Sequence, residues 1–449
     1  MSETQSSINI YTNIERIAEL ARKHPERVFN SIHHVIDMSW LQQAAQRVRK
    51  DAAVGVDGQT YADYEANLQD NLQGLLERFK SGTYRAPPVR RVHIPKADGS
   101  KRPIGIPTLE DKILQRAVAM VLEAIYEQDF KTCSYGFRLG RSAHDALKEL
   151  WNSTMDLRGG YIIDADISDF FGTLDHGILR GFLDQRVTDG ILRRVIHKWL
   201  KAGVLEDGAI THPKSGTPQG GVISPLLANV YLHVVLDEWF ERDVLPRLQG
   251  RAQLIRYADD FVVVCEREDD ARKVMEVLPK RFGRFGLTLH PDKTRLVRFV
   301  RPARPPGQKR HEDDPAPPQT FDFLGFTHRW GVSRKNRWFV ERRTSKGRLT
   351  RALAAIRDWC RKQRHQPIRD QHLALVLKVR GHCGYYGIIG NARGIGCFHQ
   401  NVLSAWRFWL DRRSQRARMT WAKFSRLMAR YPLPCTMISP RNSRSFANP

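Results

Sequence analysis

An α+β fold is predicted: sheet-forming and helical segments interleave over the first 340 residues, and an all-helical, strongly basic stretch follows. Three observations carry this expectation. Segments such as VRRVHIPK, GGYIIDADISDFF and LIRYADDFVVV hold the β-branched and aromatic residues that fit a pleated, half-buried surface. Longer runs with apolar residues at helical spacing lie between them. Beyond residue 345 only the helical spacing remains, and there the charge concentrates: residues 341–449 carry 23 Lys and Arg against 4 Asp and Glu, which is +19 of the net +25.

The elements follow in order. IERIAELARK and DYEANLQDNLQGLLERFKSG read as helices, the second closed by Gly82. VRRVHIPK and KRPIGIP flank Asp98-Gly99, a strong hairpin signal. Leu109 to Glu127 is helical, and RSAHDALKELW starts another helix with Ser142 as N-cap and Asp145 three residues on. GGYIIDADISDFF is a strand leaving a Gly-Gly turn, and THPKSGTPQGGVIS is a turn-rich loop. A long helix is expected from there, capped by Ser224, begun by Pro225 and running to about Leu245. A hairpin at RYADDFVVV, a helix near 268–285, a strand at LVRFV, a Pro-rich insertion over about 301–320 and a strand at FDFLGF complete the first part. The tail reads as LTRALAAIRDWCRKQR stopped by Pro367, DQHLALVLKVR, and one long run from NVLSAW to MARY. Three blocks are expected: 1–80, 81–340 and 341–449.

A basic region this dense favours a polyanionic partner, because Lys and Arg that neutralise phosphates release condensed counterions. The opening MSETQSSINIYTNIER is polar and unlike a signal peptide, and VISPLLANVYLHVVL is too short and too polar for a membrane span. An intracellular protein with no membrane association is expected. The six cysteines are scattered without a C-x-x-C pair, so reduced thiols are expected. The grouping of His382, Cys383, Cys397 and His399 matches no common zinc module.

The chemistry concentrates on carboxylates. Strand alternation puts Asp164, Asp166 and Ser168 on one face. Asp259 and Asp260 lie where a tight hairpin can turn. If these two elements are neighbours, the acids converge, repel one another and raise their own proton affinities. Two divalent cations would remove that cost, and carboxylate oxygens suit magnesium. A nucleotide-hydrolysing enzyme would need a G-x-x-x-x-G-K-[ST] loop, which the sequence lacks. A lone Asp-Asp is more often an ordinary polar turn, so the pair gains meaning only from its company.

That company carries a resemblance. GVDGQT, IPKADGSKRPIGIPTLEDKILQRAV, SYGFRLGRSAHDAL, ADISDFF, GTPQGGVISPLLANVYL, RYADDFVVV, LHPDKTRLV and FDFLGF occur in the order of the motif blocks of group II intron reverse transcriptases. RGHCGYYG and the Trp- and Arg-rich tail resemble that family's maturase domain, so the likeness covers roughly residues 35–440. It implies a right-hand polymerase, fingers and palm in 81–340 with a helical thumb and maturase domain in 341–449. It implies that Asp166, Asp259 and Asp260 are catalytic and hold two Mg2+ ions, Mn2+ being an alternative. Asp166 and Asp259 would be the principal bridges, while Asp164 is equally well read as an acid paired to a base. Lys96 and Arg102 would hold the incoming deoxynucleoside triphosphate, Phe170 would face its ribose, and Gln219 would pack near the nascent base pair. Arg138, Arg141, Gly220, Lys293, Arg412 and Arg413 would contact nucleic acid. The implied partners are group II intron RNA, an RNA template with a DNA primer, and target DNA. The sequence departs from the family at Gly172, where Asp is frequent, and at Leu139, where Pro is frequent. No HNH-type endonuclease is expected after YPLPCTMISPRN. A mainly RNA-binding splicing role, or a domesticated role in DNA repair or phage defence, stays open on these residues alone, as does the oligomeric state.

Overall fold

The structure is a computed structural model that describes residues 3–95, 99, 101–206, 208–211, 216, 220–303, 305–306, 316–414 and 418–434. Its strands there are β1 (Val89–Pro95), β2 (Lys101–Ile106), β3 (Tyr161–Ala165), β4 (Val204–Glu206), β5 (Ala209–Thr211), β6 (Ala252–Tyr257), β7 (Asp260–Cys265), β8 (Arg295–Arg298), β9 (Phe321–Phe323), β10 (Phe326–Val332) and β11 (Trp338–Thr344). They form three sheets, ordered β2-β1-β4-β5, β6-β7-β3-β8 and β11-β10-β9. The chain divides into two compact units, Met1–Ala146 with Ile163–Val263 and Asp269–Arg295, and Leu147–Ile162 with Val264–Glu268 and Leu296–Pro449. Each is assembled from separated stretches, whereas the blocks expected from sequence are continuous. Among the described residues no helix is long and apolar enough to cross a membrane.

In the first unit, helix Leu109–Asp129 is the centre of packing. Fifteen of its 21 residues are buried, which makes it a core helix rather than an amphipathic one. Thr108 caps it by accepting from the Asp111 amide. Helices Glu3–Lys23 and Met38–Gln46 lie on it, and the fully buried Trp40 donates its indole N–H to the Ala117 carbonyl at 2.9 Å. The expected hairpin is present: β1 and β2 are antiparallel, with Ile94 opposite Arg102 and Pro95 opposite Lys101. Ser142 and Asp145 exchange the bonds of a capping box, as their spacing predicts.

The helix after the Gly-rich loop departs from expectation at both ends. Ile223, not Ser224, occupies the N-cap and makes no side-chain cap; Ser224 is itself helical and buried. Beyond Leu232 the chain does not stay α-helical but widens into π turns over His233–Glu238 and Phe240–Val244. Arg281 stabilises this winding by donating to the Val234 and Val235 carbonyls, both at 3.0 Å. Hydrophobic spacing does not register a widened turn, so the sequence pattern passes over it.

In the second unit FDFLGF holds strand β9, a reversing turn and the first residue of β10 rather than one strand. Leu324 and Gly325 take positive φ (48° and 81°) and reverse the chain between β9 and β10. Helices Lys346–Gln363, Ile368–Tyr386, Ala392–Asp411 and Trp421–Arg430 build a core around Leu375, Val379, Phe398, Val402, Trp406 and Phe424. The run expected as one long final helix is broken after Asp411, and Thr420 caps a new helix by accepting from the Lys423 amide. His382 stacks on Phe398, with ring centroids 3.6 Å apart, and Cys383 is buried in the same core.

Candidate active site

The pair Asp259–Asp260 stands on a tight turn between two buried strands. Leu254, Ile255 and Arg256 on β6 and Phe261 to Cys265 on β7 are buried, whereas Tyr257 and Asp259 are half-buried and Asp260 is exposed. Ala258 turns the chain with φ at 58°, an unusual conformation for a residue with a side chain. β7 lies beside β3. Asp166 follows the last residue of β3, and there the chain changes partner. Its carbonyl accepts from the His290 amide at 2.8 Å, and the Ser168 amide donates to the Thr288 carbonyl at 2.8 Å. Asp166 is therefore held between the strand on one side and the segment Thr288–His290 on the other.

The acids sense one another. Desolvation first, then repulsion from Asp259, Asp166 and Asp164, pushes the Asp260 carboxyl up to about 6, and Lys293 opposes this. Asp260 also exposes much of its surface. Water would soften the desolvation share, so the neighbouring carboxylates are the more telling cause. Asp259 is likewise raised, by desolvation and then by Asp166, with Arg102 and Arg256 pulling the other way.

Three cations answer this negative charge. Lys293 Nζ lies 2.6 Å from Asp166 Oδ2, and Arg295 Nε lies 3.2 Å from Asp164 Oδ2. Asp164 thus behaves as an acid paired to a base. Arg102, on the second arm of the β1–β2 hairpin, is close enough to stabilise the charge on Asp259. Among the described residues no three His, Cys, Asp or Glu side chains already form a metal cage. The donor chemistry nevertheless fits magnesium, which takes one or two carboxylates and completes its shell with water and phosphate oxygens.

Several residues expected at the site have other duties. Arg138 is buried: its guanidinium pairs with Glu127 at 3.0 Å and donates to the carbonyls of Lys131, Ser134 and Phe130. Those bonds occupy the groups that a phosphate would need. Arg141 donates to the Thr132 and Ser134 carbonyls but keeps part of its surface open. Phe170 is buried at 2% exposure against Tyr231, so it is a core aromatic; Phe171 is the half-buried one. Gly220 has φ at 118°, and a Cβ there would stand 2.6 Å from the Gly105 carbonyl oxygen. Its close approach is to β2 of this chain rather than to a ligand. Lys96 and Gln219 lie outside the described residues.

Comparison with known proteins gives this geometry its context. The family model described as reverse transcriptase (RNA-dependent DNA polymerase) matches residues 94–328, which contain all three acids. The chain belongs to the reverse transcriptase family. Protein YkfC of Escherichia coli (strain K12) is 33% identical over 63% of this chain and 83% of its own. The group II intron-encoded protein LtrA of Lactococcus lactis subsp. cremoris is 28% identical over 86% of this chain and 75% of its own. The nuclear intron maturase 3 of Arabidopsis thaliana is 34% identical over 28% of this chain and 17% of its own. The protein is thus an RNA-directed DNA polymerase of the group II intron reverse transcriptase and maturase kind.

In this reverse transcriptase, residues not singled out from the sequence support the YADD turn. Arg256 is fully buried and pairs with the buried Asp237, beside the buried Asn229. Burial of an Arg inside a strand gives no periodic signal; its place directly before YADD was the available clue. In the second unit Arg412 is exposed and stacks over Phe408 at 3.5 Å, whereas Arg413 is half-buried and donates to the His365 and Gln366 carbonyls. Arg413 is a connector of helices first.

Proposed function

We propose that this reverse transcriptase extends a DNA primer on group II intron RNA and that its basic helical tail grips the intron to assist splicing and mobility. The observation that carries the reading is the meeting of charges at the YADD turn. Asp259 and Asp260 repel Asp166 from across neighbouring strands, with a finger-hairpin arginine in range. Asp166, Asp259 and Asp260 would hold two magnesium ions, which would activate the primer hydroxyl and neutralise the leaving pyrophosphate.

The reaction joins the primer 3′-oxygen to the α-phosphorus of the nucleotide and breaks the α-phosphorus bond to the bridging oxygen, releasing pyrophosphate. Arg102 and Lys96 would bind the triphosphate and offset charge as that bond lengthens. Lys293 would leave Asp166 when cations bind and become available to nucleic acid. The ribose-facing role expected of Phe170 moves to Phe171, whose ring retains exposure. Arg141 would contact the template, Gln219 would pack near the nascent base pair, and Arg412 would meet RNA phosphates.

The decisive experiment is deoxynucleotide incorporation on a primed RNA template by Asp259→Ala. Loss of synthesis to background is expected, because one of the acids that would hold the magnesium ions is gone. Undiminished synthesis by that variant would refute the assignment.

A further inference from the structure

Ala258 holds a left-handed conformation at the residue immediately before Asp259, and such a conformation persists only where its surroundings over-determine it. The surroundings are specific. Arg256, fully buried, directs Nε and Nη2 at the two carboxylate oxygens of Asp237 (2.8 and 2.5 Å). Its remaining arm, Nη1, donates to Asn229 Oδ1 at 2.8 Å and to the Ala258 carbonyl at 3.0 Å. Asn229 in turn donates from Nδ2 to the Gly136 carbonyl at 2.8 Å. Gly136 is packed so closely on the turn that a Cβ there would run into the Ala258 nitrogen. The backbone closes the ring: the Arg256 amide donates to the Cys133 carbonyl at 2.8 Å, and the Tyr135 amide to the Arg256 carbonyl at 2.9 Å.

We infer that Arg256 is a positioning residue for catalysis: together with Asp237 and Asn229 it fixes the Ala258 carbonyl, and through it the aim of the Asp259 carboxylate. A buried ion pair alone is poor evidence of a stabilising role, since apolar replacements often serve a core as well. The third arm of the guanidinium is what such a replacement could not supply. It ties the pair to the one peptide whose rotation would swing Asp259. Asp237 reaches it from the π-wound segment His233–Glu238.

The inference rests on Asp259 being a catalytic acid, so Asp259→Ala is measured alongside. Arg256→Lys keeps the charge but not the planar fork. Its turnover should fall about tenfold or more, as misplacement of a reacting group by a fraction of an ångström can cost. KM for the deoxynucleotide and Kd for the primed template should stay within about twofold of the wild type, and the magnesium concentration giving half-maximal rate should rise. Adding Ala258→Gly, which takes positive φ freely, should recover about threefold or more of the lost turnover, a rescue that a merely structural role would not give. Normal turnover in folded Arg256→Lys, a loss confined to KM or Kd, or no recovery from Ala258→Gly would each overturn the inference. If Arg256→Lys does not melt cooperatively, Asn229→Ser replaces it, because it loosens the ring while the Arg256–Asp237 pair remains; unaltered turnover there would count equally against it. Activity in Asp259→Ala would instead defeat the assignment of the acids.

Discussion

At the scale of single residues, burial decides what a side chain can do, and burial is what a sequence conceals most. The acids were legible because Asp is out of place in a strand; for Asp164 two readings stood level until Arg295 was found beside it. Arg138 was not, since a cation in a glycine-rich loop reads as exposed, yet here it is folded inward onto Glu127 and three carbonyls. Adjacent phenylalanines were likewise indistinguishable until Phe170 proved buried and Phe171 half-buried. Their separation is testable. Phe170→Ala should destabilise the fold by about 3–5 kcal/mol, as loss of a buried aromatic does, read as a lower urea midpoint. Phe171→Ala should fold normally and incorporate ribonucleotides more readily; unchanged sugar discrimination would return Phe171 to packing alone. Gly136→Ala should depress polymerisation strongly, because the added methyl meets backbone rather than a yielding side chain.

At the scale of elements, the hairpins and caps were readable because turn chemistry is local. The β1–β2 hairpin, Ser142 with Asp145, and the YADD turn all stand where their residues dictate. The π winding after Leu232, the chain reversal inside FDFLGF and the break after Asp411 were not, because each depends on partners remote in sequence or on backbone geometry that spacing does not encode. Helix Leu109–Asp129 supplies a prediction at this scale. The Asp111 carboxyl is buried, and desolvation pushes it up to about 7 against a weaker pull from the Trp199 indole, 3.3 Å away. A carboxyl raised in the folded state binds protons that the unfolded chain has already released. It therefore costs stability progressively as pH rises from about 4 to about 7. Asp111→Asn should gain on the wild type in thermal midpoint between pH 5 and pH 8. Equal pH slopes in the two proteins would show that the buried acid is not responsible.

At the scale of the whole molecule, charge asymmetry was the most readable property and the least specific one. It called for a polyanion without saying which arginines serve it. Arg369 and Arg380 are exposed on helix Ile368–Tyr386, with guanidinium groups open to solvent. Replacing both with Gln should weaken RNA binding about equally across sequences and lower the slope of log K against log salt by about 1 for each phosphate no longer neutralised. A slope identical to the wild type would remove this helix from the RNA-binding surface.

The second compact unit draws on stretches far apart in the chain, and Trp151 donating its indole N–H to the Val340 carbonyl at 2.9 Å is one such long-range tie. During synthesis, at roughly 5–20 residues per second, Leu147–Ile162 must wait many seconds after leaving the ribosome for its partners to emerge. A fragment expressed from residue 321 onward would keep Val340 but lack Trp151, and its soluble yield should fall below that of the whole chain. Supplying Leu147–Ile162 in trans should raise that yield, and an unchanged yield would show that the tie is dispensable for folding.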